Sequence, residues 1–265
     1  AMPQKTTRRN NWVSRGTTGA PRLIGRILTG TRFSSTVAAV LCLLAGNAAS
    51  QQDQSGAVVR LKTREDAEQA YLLKSGRGPV KALAVLFTGG YGLLKLRSDG
   101  ANVAWSQEGS SFLVLNMNRF LDDETAIAVI DVPTDQWNFG FTPRFRKSDA
   151  HLTDVRGIVS DLKARFPGAK LYLIGTSQGS TSAAYTGRAL GREIAGIALT
   201  ASVFEWAPAS WNFLHDSNLK DFDYSTITVP LLIVHHADDR CIATPYSSSV
   251  RLGEKYPLIT VRGGE

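Results

Sequence analysis

KLYLIGTSQGSTS, residues Lys170 to Ser182, is the stretch from which the rest of the chain takes its meaning. An apolar, β-rich run from Leu171 to Ile174 leads into Gly175-Thr176-Ser177-Gln178-Gly179 and then into small residues able to open a helix. This is the layout of a nucleophile elbow. The serine of such an elbow sits on a strained turn that needs glycine on both flanks, because a Cβ on either side would clash with the strand or the helix. Ser180, Ser182, Ala183 and Ala184 let that helix start close to the sheet. The turn exposes the Ser177 hydroxyl at a helix N-terminus, where the Gln178 backbone N–H and the helix dipole stabilise an oxyanion.

Outward from this stretch, the 265 residues are 43% hydrophobic, enough for one sizeable α/β core. The net charge of +7 is confined to the start of the chain. Residues 1–50 hold seven basic side chains and no acid, and the remaining 23 basic residues are matched by 23 acids. Composition therefore gives no reason to expect nucleic acid or an anionic membrane surface as a partner. Residues 1–50 have the pattern of a secretory leader: basic residues up to Arg32, an apolar run from Val37 to Ala45, then Ala48, Ala49 and Ser50 as a cleavage region. The run is well short of the ~20 residues of a spanning helix, so no stable membrane anchor is expected. An exported protein, periplasmic or secreted, follows. Of the two cysteines, Cys42 lies inside the leader and leaves Cys241 alone in an oxidising compartment, where an odd cysteine calls for a partner.

Residues 51–265 alternate strand and helix signals. Strands are expected at Ala57 to Lys62, Gln69 to Lys74, Ala82 to Phe87, Ala126 to Asp131, Leu171 to Ile174, Ile194 to Thr200, Pro230 to His235 and Leu258 to Val261. Helices are expected at Asn116 to Leu121 and at Ser247 to Lys255. Another opens at a Ser148 or Asp149 cap, and its residues Leu152, Val155, Ile158, Val159, Leu162 and Phe166 fall at helical spacing. The alternation predicts one α/β domain with a mostly parallel central sheet and helices on both faces. The run Ala82 to Phe87 feeds Thr88-Gly89-Gly90-Tyr91-Gly92, whose glycines allow backbone N–H groups to approach a ligand; Gly90 or Tyr91 is the candidate second oxyanion donor. Aromatic residues crowd Ala201 to Val229 (Phe204, Trp206, Trp211, Phe213, Phe222, Tyr224), either lining an apolar acyl or aryl pocket or packing against the sheet. Arg144, Arg146 and Lys147 are expected in a solvated loop.

A serine hydroxyl is a poor nucleophile until a base takes its proton, and the base needs an acid to orient it. Leu232 to Arg240 ends a strand in His235-His236-Ala237-Asp238-Asp239-Arg240. It offers Asp239 as the acid, with Asp238 as runner-up and Glu205 as a third candidate. FTGGYG, GTSQGS and VHHADDRC together resemble the α/β-hydrolase superfamily. They are most similar to a group of exported bacterial members with a His-x-x-Asp at the start of the helix before the elbow, here His151-Leu152-Thr153-Asp154. The resemblance, over about Ala57 to the end, implies a serine hydrolase of esterase or lipase type acting on a small-molecule ester. It implies Ser177 as nucleophile, Asp239 as acid, and Gln178 with Gly90 or Tyr91 as oxyanion donors. No metal or organic cofactor is implied, because neither a metal-ligand spacing nor a phosphate-cradling loop is present.

One departure stands out. The superfamily's catalytic histidine lies beyond the last strand, and no histidine follows His236. His151 at a helix start is expected to hydrogen-bond Asp154, His215 has no evident partner, and His235 and His236 adjoin the proposed acid. Together with the unpaired Cys241, this leads to the expectation of a C-terminally incomplete hydrolase, lacking the histidine loop and last helix and nearly inactive by itself. A non-catalytic protein of the same fold, binding an apolar ligand or partner, is the alternative.

Overall fold

The computed structural model describes residues 56–99, 102–106, 111–204 and 219–263. The leader, Cys42, Glu205, His215 and the aromatic residues Trp206, Trp211 and Phe213 lie outside the described residues.

Strands β1 (Gly56–Arg64), β2 (Ala67–Ser75), β3 (Ala82–Phe87), β6 (Thr125–Ile130), β7 (Lys170–Thr176), β8 (Gly196–Thr200), β9 (Leu231–His236) and β10 (Leu258–Val261) form one sheet. A separate two-stranded hairpin joins β4 (Arg97–Asp99) and β5 (Asn102–Ala104). The order across the sheet is β1-β2-β6-β3-β7-β8-β9-β10; β1, β2 and β6 pair antiparallel and every later pairing is parallel. Parallel neighbours need crossover connections, which the alternating helices supply.

Side-chain alternation in the central strands divides the core into two layers. Leu83, Val85 and Phe87 of β3, with Leu171 and Leu173 of β7, face one layer; Ala84, Leu86, Tyr172 and Ile174 face the other. On the first layer lie α3 (Asp149–Arg165) and α4 (Gly179–Leu190), through Val155, Ile158, Leu162, Ala183 and Leu190. The Ser148 hydroxyl caps α3 by accepting from His151 N–H at 3.2 Å, as expected of that residue. On the second layer lie Leu113, Val114, Met117 and Phe120. They belong to the short α1 (Phe112–Leu115) and the 3-10 turn Met117–Phe120, where a helix over Asn116 to Leu121 was expected. Asn116 breaks that helix: at φ −110° and ψ 10° it leaves the helical region, and its side-chain amide donates to Phe112 O at 2.9 Å.

The loop after β6 holds a second departure, the one-turn helix α2 (Pro143–Arg146), with Pro143 in its first turn and Thr142 capping it by accepting from Phe145 N–H at 3.2 Å. This turn carries Arg146 out of solvent entirely. The last helix of the described residues, α5 (Tyr246–Gly253), packs on β9 and β10.

Candidate active site

β7 ends at Thr176 and the chain reverses at Ser177, whose φ of +52° lies in the left-handed region. That conformation costs an L-residue roughly 1–2 kcal/mol, and backbone contacts hold it. Ser177 N–H donates to Thr200 O at 3.0 Å, and Ser177 O accepts from Ser180 N–H at 3.1 Å and from the Ser180 hydroxyl. Contact forces the flanking glycines: a Cβ at Gly175 would meet Gly179 O at 2.3 Å, and one at Gly179 would meet Phe87 O at 2.1 Å and Thr88 O at 2.7 Å. The elbow expected at Gly175 to Gly179 is therefore formed.

The loop leaving β3 runs directly past Ser177, since a Cβ at Gly89 would sit 3.1 Å from Ser177 Cβ. Gly90 has φ +56°, and its N–H, like that of Gln178 at the start of α4, has no acceptor in the described structure. Two unspent donors beside a helix N-terminus are what an oxyanion hole requires. Tyr91, 48% exposed, is fixed through its carbonyl, which accepts from Phe141 N–H at 2.7 Å.

Two charged residues brace this loop, and neither was recognised in the sequence. Asp131, at the end of β6 and fully buried, accepts backbone N–H bonds from Leu94, Lys95 and Val132 through Oδ1 (3.0, 3.0 and 2.7 Å) and from Leu96 through Oδ2 (2.7 Å). Burial raises its pKa and the four donors oppose the shift. Arg146, 1% exposed, donates to Gly90 O (2.8 Å), Thr88 O (3.1 Å), Ser182 Oγ (2.9 Å) and Phe141 O (3.3 Å). A one-turn helix opened by Thr142-Pro143 was the available signal for its placement.

Asp239 follows β9 by three residues, so it shares the carboxyl edge of the sheet with Ser177, two strands away. Strand spacing puts the two backbones about 10 Å apart, room for one imidazole between them. Asp239 Oδ1 accepts Cys241 N–H at 2.8 Å; Oδ2 accepts Thr244 Oγ1 and His235 Nε2, both at 2.9 Å. Of its roughly four lone-pair directions, one on Oδ1 is left. Asp238 is exposed, and Cys241 is exposed and unpaired.

None of the described histidines faces Ser177 through a hydrogen bond. His235 is buried between Asp239 and the Ser249 hydroxyl, which lies 2.5 Å from Nδ1. In the tautomer whose Nε2–H donates to Asp239, Nδ1 is left to accept the Ser249 proton. His236 Nε2 bonds Gly263 O at 3.0 Å. His151 does not bond Asp154, contrary to expectation. Its ring is fully buried 5.9, 5.2 and 5.4 Å from the rings of Phe87, Phe141 and Phe145, with no hydrogen-bond partner on either nitrogen. Burial, then the charges of Arg146 and Arg64, push its pKa down to about 3. Asp154 turns instead to β1, accepting from Thr63 Oγ1 and from Arg64 Nε and Nη2 (2.9 and 3.0 Å). Arg64 of that ion pair also stands over the Phe145 ring of the cage, 5.7 Å from its centroid.

Of the aromatic segment, Phe204 and Phe222 are buried in the first core layer, and Phe222 contacts Tyr185 and Tyr224 with ring centroids 5.0 Å apart in each case. A cavity of about 580 Å³ is lined by Phe204, Leu219, Tyr224 and Leu252 together with Lys220 and Lys255; Ser177 and Asp239 are not among its walls. Among the described residues no group of His, Cys, Asp and Glu is arranged to hold a metal ion, and no helix is long and apolar enough to cross a membrane.

No protein-family model matches the chain, and no curated protein does. Solved structures do. Est1E from Butyrivibrio proteoclasticus superposes with a TM-score of 0.52 at 15% identity over 78% of this chain and 88% of its own. A soluble variant of monoglyceride lipase from Saccharomyces cerevisiae gives 0.55 at 12% identity over 83% and 89%. XC6422 from Xanthomonas campestris, described as an α/β serine hydrolase without lid, gives 0.50 at 14% over 78% and 83%. The fold is that of the α/β hydrolases. At these identities the likeness carries architecture, and the α/β-hydrolase fold hosts many chemistries.

Proposed function

We propose that the protein is a serine hydrolase of the carboxylic-ester type, exported from the cell, that works through an acyl-enzyme on Ser177. The observation that carries this reading is the left-handed Ser177 between two sterically obligatory glycines, with the unspent N–H groups of Gln178 and Gly90 beside it. A monoglyceride lipase among the superposable structures supports an ester substrate, and an acylaminoacyl peptidase among them keeps amide cleavage as the second reading. Ser177 Oγ attacks the ester carbonyl; the N–H of Gln178 and that of Gly90 or Tyr91 hold the oxyanion. Collapse of the tetrahedral intermediate releases the alcohol, and water then hydrolyses the acyl-serine. The base this reading requires is a histidine between Ser177 and the free lone pair of Asp239, a place that no described histidine takes.

The test is hydrolysis of p-nitrophenyl butyrate by the product of the complete reading frame. Turnover that Ser177→Ala abolishes supports the reading. A folded protein with no turnover, or turnover that survives Ser177→Ala, overturns it in favour of a ligand-binding protein of the same fold.

A further inference from the structure

Arg146 is a cation enclosed in the core with no carboxylate among the described residues paired to it. Enclosure of an unpaired charge costs several kcal/mol, and only neutral acceptors and an aromatic face offset it here. The guanidinium carbon stands 4.8 Å over the Phe141 ring, and the four acceptors are three backbone carbonyls and one hydroxyl. Burial lowers its pKa to about 9, so it stays charged at neutral pH. Core packing alone gives no reason for a charge at this position, since an apolar side chain of similar length would fill the space without that cost.

The acceptors show what the charge does. Nη2 binds the carbonyls of Thr88 and Gly90, on the two peptides either side of the Gly89–Gly90 peptide that carries the loop donor. In a trans peptide the C=O and the following N–H point in opposite directions. Holding Thr88 O and Gly90 O toward the guanidinium therefore turns the N–H groups of Gly89 and Tyr91 to the side away from it. Nη1 meanwhile binds Ser182 on α4, the helix whose first turn supplies the Gln178 N–H. One rigid fork thus ties the loop donor and the helix donor to each other. Lysine, with a single flexible ammonium, delivers no such fixed set of directions.

We propose that Arg146 is a positioning residue for the oxyanion hole: it sets the orientation of the Thr88–Gly89 and Gly90–Tyr91 peptides and holds them in register with α4. The proposal rests on the serine-hydrolase reading above. Wild-type turnover that Ser177→Ala removes establishes that reading first; an inert wild type sinks both, whereas an active wild type isolates the question of Arg146.

The experiment compares Arg146→Lys and Arg146→Ala with wild type in the product of the complete reading frame, using p-nitrophenyl butyrate and thermal unfolding. The expected result for both is kcat lower by about 10²-fold, the scale of a lost oxyanion donor, with KM changed less than about twofold. Free guanidinium ion restores at least about tenfold of the Arg146→Ala loss while methylammonium does not, because only the planar ion reproduces the fork. A folded Arg146→Lys variant with wild-type kcat, a loss confined to KM, or equal response to both ions overturns the proposal. If neither variant folds, Ser182→Ala decides: it removes only the tether to α4, and a folded Ser182→Ala protein with reduced kcat and unchanged KM supports the proposal, one with wild-type kcat contradicts it.

Discussion

Gly179→Ala tests how closely the elbow and the oxyanion loop are pressed together. The added Cβ would stand 2.1 Å from Phe87 O, whereas ordinary contact begins at 3.4 Å, so helix and strand must part by about 1.3 Å. The three atoms nearest to it are backbone, at the end of β3 and at Thr88, and none can rotate aside. Overpacking of this kind costs about 1–3 kcal/mol. The alanine recovers about 1 kcal/mol of helix propensity, leaving a net loss of up to about 2 kcal/mol. At about 2–4 °C per kcal/mol for a domain of this size, the melting temperature falls by up to about 8 °C. The functional loss is larger. Displacing the Thr88–Gly90 loop by about 1 Å carries a 2.9 Å hydrogen bond past the distance at which it counts as one, and a lost oxyanion donor costs about 10²–10³ in kcat. The assay pairs urea unfolding with p-nitrophenyl butyrate turnover. Gly168→Ala is the control, with φ +83° but nothing within 4 Å of the added methyl, so it costs stability and leaves turnover alone. A Gly179→Ala protein with wild-type stability and turnover would refute the reasoning.

Three further predictions concern ionisable groups. Asp131→Asn presents an amide NH₂ to at least one of the four backbone donors now satisfied by the carboxylate; unfolding in urea is expected to show a loss of about 1–3 kcal/mol, and an unchanged midpoint would contradict the bracing role. His151, with its folded pKa near 3 against an ordinary value of 6.5, is neutral in the fold while the unfolded chain takes up a proton. Its contribution to stability is therefore complete above pH 6.5 and declines as pH falls toward 3, by about 1.4 kcal/mol per unit. His151→Phe, placed in a cage of three phenylalanines, removes that slope between pH 6 and 4, and an identical slope in both proteins would show that another group titrates. Asp239→Asn is expected to lower turnover by about 10⁴-fold, the scale of a lost triad acid; activity within tenfold of wild type would move the acid elsewhere.

Much of the architecture was legible because local pattern and tertiary role coincide there. The apolar runs of β3, β7 and β9 are buried on both faces, so a strand signal and a core signal are the same signal. The elbow was legible because its glycines are dictated by contacts between residues four apart and by one neighbouring strand. The hairpin β4–β5 escaped notice, since three residues per strand leave no period to detect. Arg146 and Asp131 escaped for a different reason. A buried charge is defined by what surrounds it, and three of the four partners of each come from segments about 35–58 residues away. His151 and Asp154 show the limit of a spacing rule: three residues apart on one helix, both are buried, yet one joins the phenylalanine cage and the other the Arg64 ion pair on β1.

Ser177 as an acylable nucleophile is the claim on which the rest depends, and its most direct test is the mass of the protein after reaction with a fluorophosphonate. In the product of the complete reading frame, a single adduct is expected, mapping to the peptide that contains Ser177 and absent from Ser177→Ala. A folded protein that forms no adduct, or forms one on another residue, would contradict the account.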